Sequence, residues 1–276
     1  VARHLASTGN RHGLELLYGD VASTLSQLSR TAFIAPDDAM LCVSDFSAIE
    51  ARVLSWLADE KWRMDVFANN GDIYCASASS MFGVPVVKHG INGHLRQKGK
   101  VAELALGYQG GPNALISMGA LKQGLTEEEL PDIVRRWRVS NPRIQEFWYA
   151  VDNAAMSVMQ NAQPVGLPHG IIFSRECNLV YGYDYLTITL PSGRRLFYPQ
   201  PYIADNQFGR PAIHYRTQVG ANWVNTSTYG GKLVENITQA IARDCLALAI
   251  KRLVQHGYKP LMHIHDEVVL EVPKTE

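Results

Sequence analysis

The stretch Met262–Val272, M-H-I-H-D-E-V-V-L-E-V, constrains this chain more than any other. Leu261 to Ile264 is an apolar-rich run, and Val268, Leu270 and Val272 alternate with Val269 and Glu271 as in a strand. His265-Asp266 between the two runs suits a tight turn. A β-hairpin is therefore predicted, with Asp266 and Glu267 at the tip of a buried sheet. Buried carboxylates are costly unless they are paired or bound to metal. Two explanations stay open for the tip. Asp266 makes an ordinary Asx turn, or it is a metal-binding carboxylate that needs a second acid from elsewhere in the chain.

Pro36-Asp37-Asp38 reads as a turn, and Met40–Val43 as a buried strand with Asp45 just past its end. Ile49, Val53, Trp56 and Leu57 follow at helical spacing. A carboxylate between a strand and a helix is placed for chemistry, but Ser44, Asp45 or Ser47 could equally cap the helix. Upstream, residues 1–30 read as one or two short helices broken near Gly9 and Gly19, and Arg3, His4, Arg11, His12 and Arg30 suit solvated faces. Downstream, residues 62–87 are helical with breaks at Gly71-Asp72 and Gly83-Val84-Pro85, and a loop covers 88–94.

In residues 95–111, Arg96, Lys100, Leu104 and Tyr108 recur every fourth position, with Val101 and Ala105 on an adjoining side and Gly110-Gly111-Pro112 as the stop. On one helix these four make a stripe suited to a nucleoside triphosphate, the cations meeting phosphates and the rest meeting sugar and base. A solvated face is the plain alternative. Residues 126–160 are helical and open with a capping box at Thr126–Glu129. Arg135-Arg136-Trp137-Arg138 and Trp148-Tyr149 fit either a nucleic-acid strand or buried tryptophans beside exposed arginines. The pattern changes to strands over 164–217. Residues 185–190 and 194–198 flank Pro191-Ser192-Gly193 as a hairpin, and the rest is expected to be an exposed loop or ribbon. The helix predicted over 230–256 carries Val234, Ile237, Ile241, Cys245 and Leu248 on its core side, with Asn236, Gln239 and Arg243 on another. Those polar groups could read a minor groove or simply meet water.

Composition sets limits. The 276 residues include 26 Lys+Arg and 26 Asp+Glu, so nucleic-acid binding must rely on local basic faces. The four cysteines are scattered without metal-type spacing, which fits a reduced intracellular protein. No signal peptide is expected, and no apolar run reaches the roughly 18 residues of a membrane span. Val1 and Glu276 read as cuts through a longer protein.

The order strand-Asp45-helix, then Arg96/Lys100, then the Gln239 helix, then the Asp266 hairpin resembles the polymerase domain of family A DNA polymerases, most closely the phage or prophage type. Asp45-Phe46-Ser47-Ala48-Ile49-Glu50-Ala51-Arg52 matches motif A, Arg96 through Lys100 to Tyr108 matches motif B, and His265-Asp266-Glu267 matches motif C. The resemblance runs from about Arg30 to Val272. It implies an α+β fold: a palm with an antiparallel sheet and helices, plus largely helical fingers, without a thumb or exonuclease domain. Residues 1–60 would hold N-terminal helices and the first part of the palm, 61–160 the fingers, and 161–276 the rest of the palm.

The resemblance also implies roles. Asp45 and Asp266, with the Phe46 backbone carbonyl, would hold two Mg²⁺ ions about 3.5–4 Å apart, Mn²⁺ being able to substitute. Arg96 and Lys100 would bind the triphosphate, with Lys100 as a candidate proton donor to pyrophosphate. Glu50 would exclude a sugar 2′-hydroxyl, and Tyr108 would sit by the templating base. Asn236, Gln239, Arg243 and His265 would contact DNA, and Glu267 would be auxiliary. Three positions depart from the family: Leu104 replaces an aromatic, Tyr74 stands where many members have His, and Gln109 separates Tyr108 from Gly110. No segment ahead of motif A resembles the family's T-G-R and Q-N-rich DNA-binding part. The implied function is DNA-directed DNA polymerase, with primer-template DNA and dNTPs as partners, no membrane, and a bacterial host cytoplasm as location. DNA binding is expected to be weak and salt-sensitive. A non-catalytic binding remnant and a metal-dependent nuclease stand as alternatives.

Overall fold

The computed structural model describes residues 1–178 and 180–274. It forms two compact units, residues 1–46 with 248–276, and residues 47–247.

The first unit opens with α1 (Ala2–Ser7), α2 (Arg11–Tyr18) and α3 (Val21–Gln27), three helices where one or two were expected. The glycine breaks carry the reason. Asn10 after Gly9 accepts the Gly13 N–H at 2.8 Å, and Asp20 after Gly19 accepts the Ser23 N–H at 3.1 Å, so each break starts a freshly capped helix. Strand β1 (Ala39–Asp45) follows, with Asp45 as its last residue rather than just beyond it.

The second unit begins with α4 (Ile49–Ala58), α5 (Lys61–Ala68), α6 (Ile73–Phe82), α7 (Arg96–Leu106) and α8 (Pro112–Ser117). Next come α9 (Leu130–Ser140) and the 20-residue α10 (Pro142–Asn161). The capping box is only half made: the Thr126 N–H and hydroxyl both donate to Glu129 Oε2, at 2.7 and 3.1 Å, while the Glu129 N–H goes to the Thr126 carbonyl, and the helix proper starts at Leu130. Ile144, Phe147, Trp148, Val151, Ala155 and Val158 give α10 a buried stripe at three- and four-residue spacing.

Strands β2 (Val165–Leu167), β3 (Ile171–Asn178), β4 (Tyr183–Thr189) and β5 (Arg195–Pro199) form one antiparallel sheet in sequence order. The expected hairpin at Pro191-Ser192-Gly193 is present, and Gly193 takes the positive φ its turn requires, at 82°. The segment expected to be loop or ribbon is instead a second antiparallel sheet of β6 (Tyr202–Asp205), β7 (Pro211–Val219) and β8 (Asn222–Thr228). Its polar outer residues dilute the apolar alternation that marks a strand in sequence.

Helix α11 (Gly230–Gln255) runs as expected, with Val234, Ile237 and Ile241 buried. Cys245 and Leu248, expected in the core, are exposed, and Leu246 is buried in their stead. The first unit is completed by β9 (Pro260–Ile264) and β10 (Glu267–Pro273), which join β1 in an antiparallel sheet of order β1-β10-β9. Central β10 buries Val268, Val269 and Leu270, so alternation fails there. A register shift toward β9 falls between Val269 and Leu270. Strand β1, expected to be buried, is exposed from Cys42 to Asp45 because it lies at the sheet edge with one neighbouring strand. Among the described residues no helix is long and apolar enough to cross a membrane.

Candidate active site

The hairpin between β9 and β10 turns on His265-Asp266, with His265 at a φ of 55°. His265 Nδ1 lies 2.7 Å from Asp266 Oδ1. Strand β1 pairs antiparallel with β10 so that Asp45 stands opposite Glu267, the residue after Asp266. Asp45 is therefore no helix cap. The residue preceding α4 is Ala48, in a left-handed conformation and with no side-chain bond to the helix.

This register brings the two aspartates together. The Asp45 carboxyl is held above its ordinary range, first by partial desolvation, then by the Asp266 charge and a hydrogen bond between the two carboxyls, then by Glu267. Nearby His265 opposes the shift. Glu267 is engaged by Arg30, whose guanidinium reaches it at 3.0 Å. Arg30 is itself exposed, in keeping with a solvated face. Its partner lies 237 positions away, beyond the reach of local pattern.

Adjacent carboxylates repel, and a hard cation relieves that repulsion. Oxygen donors of this kind suit Mg²⁺, which keeps water ligands and needs only one or two protein carboxylates. Among the described residues no group of three or more His, Cys, Asp and Glu side chains is arranged to hold an ion alone. Asp45 and Asp266 offer two donors of the type such an ion takes.

In the second unit, α6 and α7 pack side by side, and the reason is Gly99. A Cβ there would collide with the Tyr74 carbonyl oxygen and press on Ala78. Gly99→Ala is expected to destabilise the chain by about 1–3 kcal/mol by forcing the helices apart. A urea midpoint unchanged from wild type would refute this packing account.

The close approach sets Tyr74 beneath two cations. The Arg96 guanidinium lies 5.1 Å from the Tyr74 ring centroid and Lys100 Nζ lies 5.9 Å from it. Arg96 Nε also bonds Asp72 Oδ2 at 2.6 Å, while the other Asp72 oxygen caps α6. Lys100 has no ion pair among the described residues. Leu104 continues the stripe and is exposed.

Tyr108 does not continue it. Helix α7 ends at Leu106, short of the expected stop, and Tyr108 lies in the turn beyond. Gln109 has a φ of 67°, and a Cβ on Gly110 would strike the Ala105 carbonyl, so the chain folds back tightly there. The Tyr108 hydroxyl donates to Glu50 Oε2 at 2.6 Å, and burial with that carboxylate beside it drives the phenol far above its usual range. Gln239 on α11 donates to the other Glu50 oxygen at 3.4 Å. Glu50, in the first turn of α4, thus forms one cluster with Tyr108 and Gln239.

Asn236 donates to the Tyr198 hydroxyl at 2.9 Å and is half-buried, whereas Gln239 and Arg243 are exposed. Trp137 and Trp148 are buried, their rings nearly parallel with centroids 6.2 Å apart, which answers the aromatic-basic ambiguity of α9 and α10 for these two rings. Trp148 Nε1 donates to the Gly107 carbonyl at 2.8 Å and so fixes the turn after α7. Pattern reading missed Asp72, and it missed Gln109, whose side chain accepts the Gly231 N–H of α11 at 3.0 Å.

Residues 20–163 match the family model of DNA polymerase family A. The DNA polymerase of Bacillus phage SP02 is 52% identical over 275 residues, covering 99% of this chain and 42% of that protein. The thermostable DNA polymerase I of Thermus thermophilus is 27% identical over 259 residues, covering 92% of this chain and 25% of that one. Among solved structures, the POL domain of Pol1 from M. smegmatis in complex with DNA primer-template and dNTP aligns with a TM-score of 0.55. It is 18% identical and the match covers 89% of this chain and 36% of that one, a likeness of fold. This chain spans less than half the length of these curated relatives.

Proposed function

Because this chain belongs to DNA polymerase family A, we propose that it is the nucleotidyl-transfer portion of a DNA-directed DNA polymerase, extending a primer 3′-hydroxyl with dNTPs. The observation that carries this reading is the approach of the Asp45 and Asp266 carboxyls, which follows from a β1–β10 register that sets Asp45 opposite Glu267, in a chain that also stacks Arg96 and Lys100 over Tyr74.

In this reading, residues 1–60 and 161–276 serve as palm and 61–160 as fingers. Asp45, Asp266 and the Phe46 carbonyl hold Mg²⁺, or Mn²⁺ in its place. When bound, the ions supply an activated 3′-hydroxyl and charge neutralisation at the triphosphate. The chain's own groups do the rest. Arg96 and Lys100 clamp the triphosphate, and Lys100 delivers a proton to the departing pyrophosphate. The Arg96–Asp72 bond keeps the guanidinium in place before substrate arrives. Leu104 and Tyr74 border the sugar and phosphates. Glu50, fixed by Tyr108 and Gln239, presents a carboxylate that a 2′-hydroxyl would crowd. Asn236, Gln239, Arg243 and His265 meet the primer-template.

Lys100→Ala tests the phosphate role. The apparent KM for dNTP is expected to rise and kcat to fall, by roughly 10²-fold or more in kcat/KM, for loss of one charge-assisted contact and a proton donor. Primer-template affinity, read by fluorescence anisotropy, should change less than about threefold. Equal losses in both would refute the assignment.

A further inference from the structure

The β6–β7–β8 sheet has a face that none of the roles above uses. The antiparallel register places Tyr202 opposite His214, His214 opposite Ser227, Arg216 opposite Asn225, and Gln218 opposite Trp223, so these side chains share one side. The other side is the packed one. There Ile213 and Thr228 are buried, and the Tyr215 ring meets Tyr198 of β5 edge-on at 5.0 Å.

The outward face is aromatic and cationic. The Tyr202 and His214 rings stack at 5.3 Å with 21° between planes, and the Arg216 guanidinium lies 5.9 Å from the Trp223 ring. Trp223 is 55% exposed and Tyr202 41%. Gln200, Tyr202, Arg216, Trp223 and Asn225 border an open cleft of about 360 Å³. The register puts no acid on this face. Asp205, the one carboxylate in residues 200–228, pairs with Pro211 on the alternate side, and Arg216 has no ion pair among the described residues.

We infer that this face is a stacking platform for an unpaired stretch of DNA. Exposed rings can stack on base faces, which a single strand presents along its length. Arg216 meets the phosphate, while Gln200 and Asn225 offer amides to base edges. A duplex hides its base faces, and an apolar protein partner would leave Arg216 and three amides without use. The inference rests on the polymerase reading for its choice of DNA, with the strand being a template overhang. It does not depend on the Asp45–Asp266 chemistry.

The test is binding of a labelled oligo(dT) of about sixteen nucleotides to the whole chain, beside a blunt duplex and a primer-extension assay. Trp223→Ala is expected to weaken oligo(dT) binding about tenfold, the usual scale for one lost stacking partner, while duplex affinity is unchanged. Trp223→Phe, which keeps a ring, should restore most of it, and so separates stacking from misfolding. Arg216→Ala should flatten the salt dependence of oligo(dT) binding. Equal oligo(dT) affinity in wild type and Trp223→Ala, or no oligo(dT) binding by wild type, overturns the platform even if primers are extended. Failure of extension together with a Trp223-dependent oligo(dT) affinity overturns the polymerase reading and leaves the platform standing.

Discussion

Arg63→Ala is expected to cost about 3–5 kcal/mol of unfolding free energy, the scale for stranding one member of a buried ion pair. Arg63 is fully buried on α5, and its two terminal nitrogens grip both oxygens of Glu103 on the inner side of α7. Its Nε donates to Ser55 Oγ at 2.8 Å and Nη1 also donates to Asn141 Oδ1 at 3.0 Å. Glu103 further accepts from Trp137 Nε1 at 2.9 Å and from the Ser77 hydroxyl. Removing the guanidinium leaves a buried carboxylate without its countercharge and Asn141 without a donor. Lysine cannot replace the planar fork. Arg63→Met combined with Glu103→Leu should cost much less than the single change, because no charge is then stranded. Urea unfolding reads both, and a single-variant loss below about 1 kcal/mol would show that the pair is not the buttress described. Glu103 is three residues from Lys100 and adjacent to Leu104, so the same network fixes the orientation of the outer stripe of α7.

Asp266→Asn is expected to remove metal-dependent incorporation by about a thousandfold or more, since several kcal/mol of charge stabilisation depend on the ions it helps to hold. The substitution keeps the shape of the turn residue and deletes one negative charge. The hairpin should survive, because its register is set by the β9 and β10 strand pairs and by the turn at His265. Circular dichroism and the unfolding midpoint should match wild type. With the neighbouring charge gone, the Asp45 carboxyl should titrate closer to its ordinary value, since Asp266 contributes both a charge and a hydrogen bond to its elevation.

The placement of the candidate residues is more legible in the sequence than the packing around them. The Asp266 hairpin could be read because a two-residue polar turn between apolar runs has few other solutions. Arg96, Lys100 and Leu104 could be read because one helix holds all three. Tyr108 could not, because four-residue spacing continues through Gly107 while the backbone does not. The buried Arg63–Glu103 pair joins residues 40 positions apart, which no periodicity marks. Beyond the β4–β5 hairpin, the sequence up to residue 217 reads only as an exposed loop or ribbon, not as part of a sheet, because the outward positions of β7 are His214, Arg216 and Gln218 rather than the β-branched residues of a typical strand. The exposed Cys245 and Leu248 show the limit of helical periodicity. It identifies a stripe but not how far along α11 neighbours cover it.

The measurement that bears most directly on the central claim is extension of a labelled primer-template by the 276-residue chain, at low salt with Mg²⁺. Each dNTP is supplied singly and the first templating base is varied, with Asp266→Asn run in parallel. The account predicts addition of the complementary nucleotide for every template and loss of that addition in the variant. Addition that ignores the template, undiminished addition by Asp266→Asn, or no addition by the wild-type chain would contradict it.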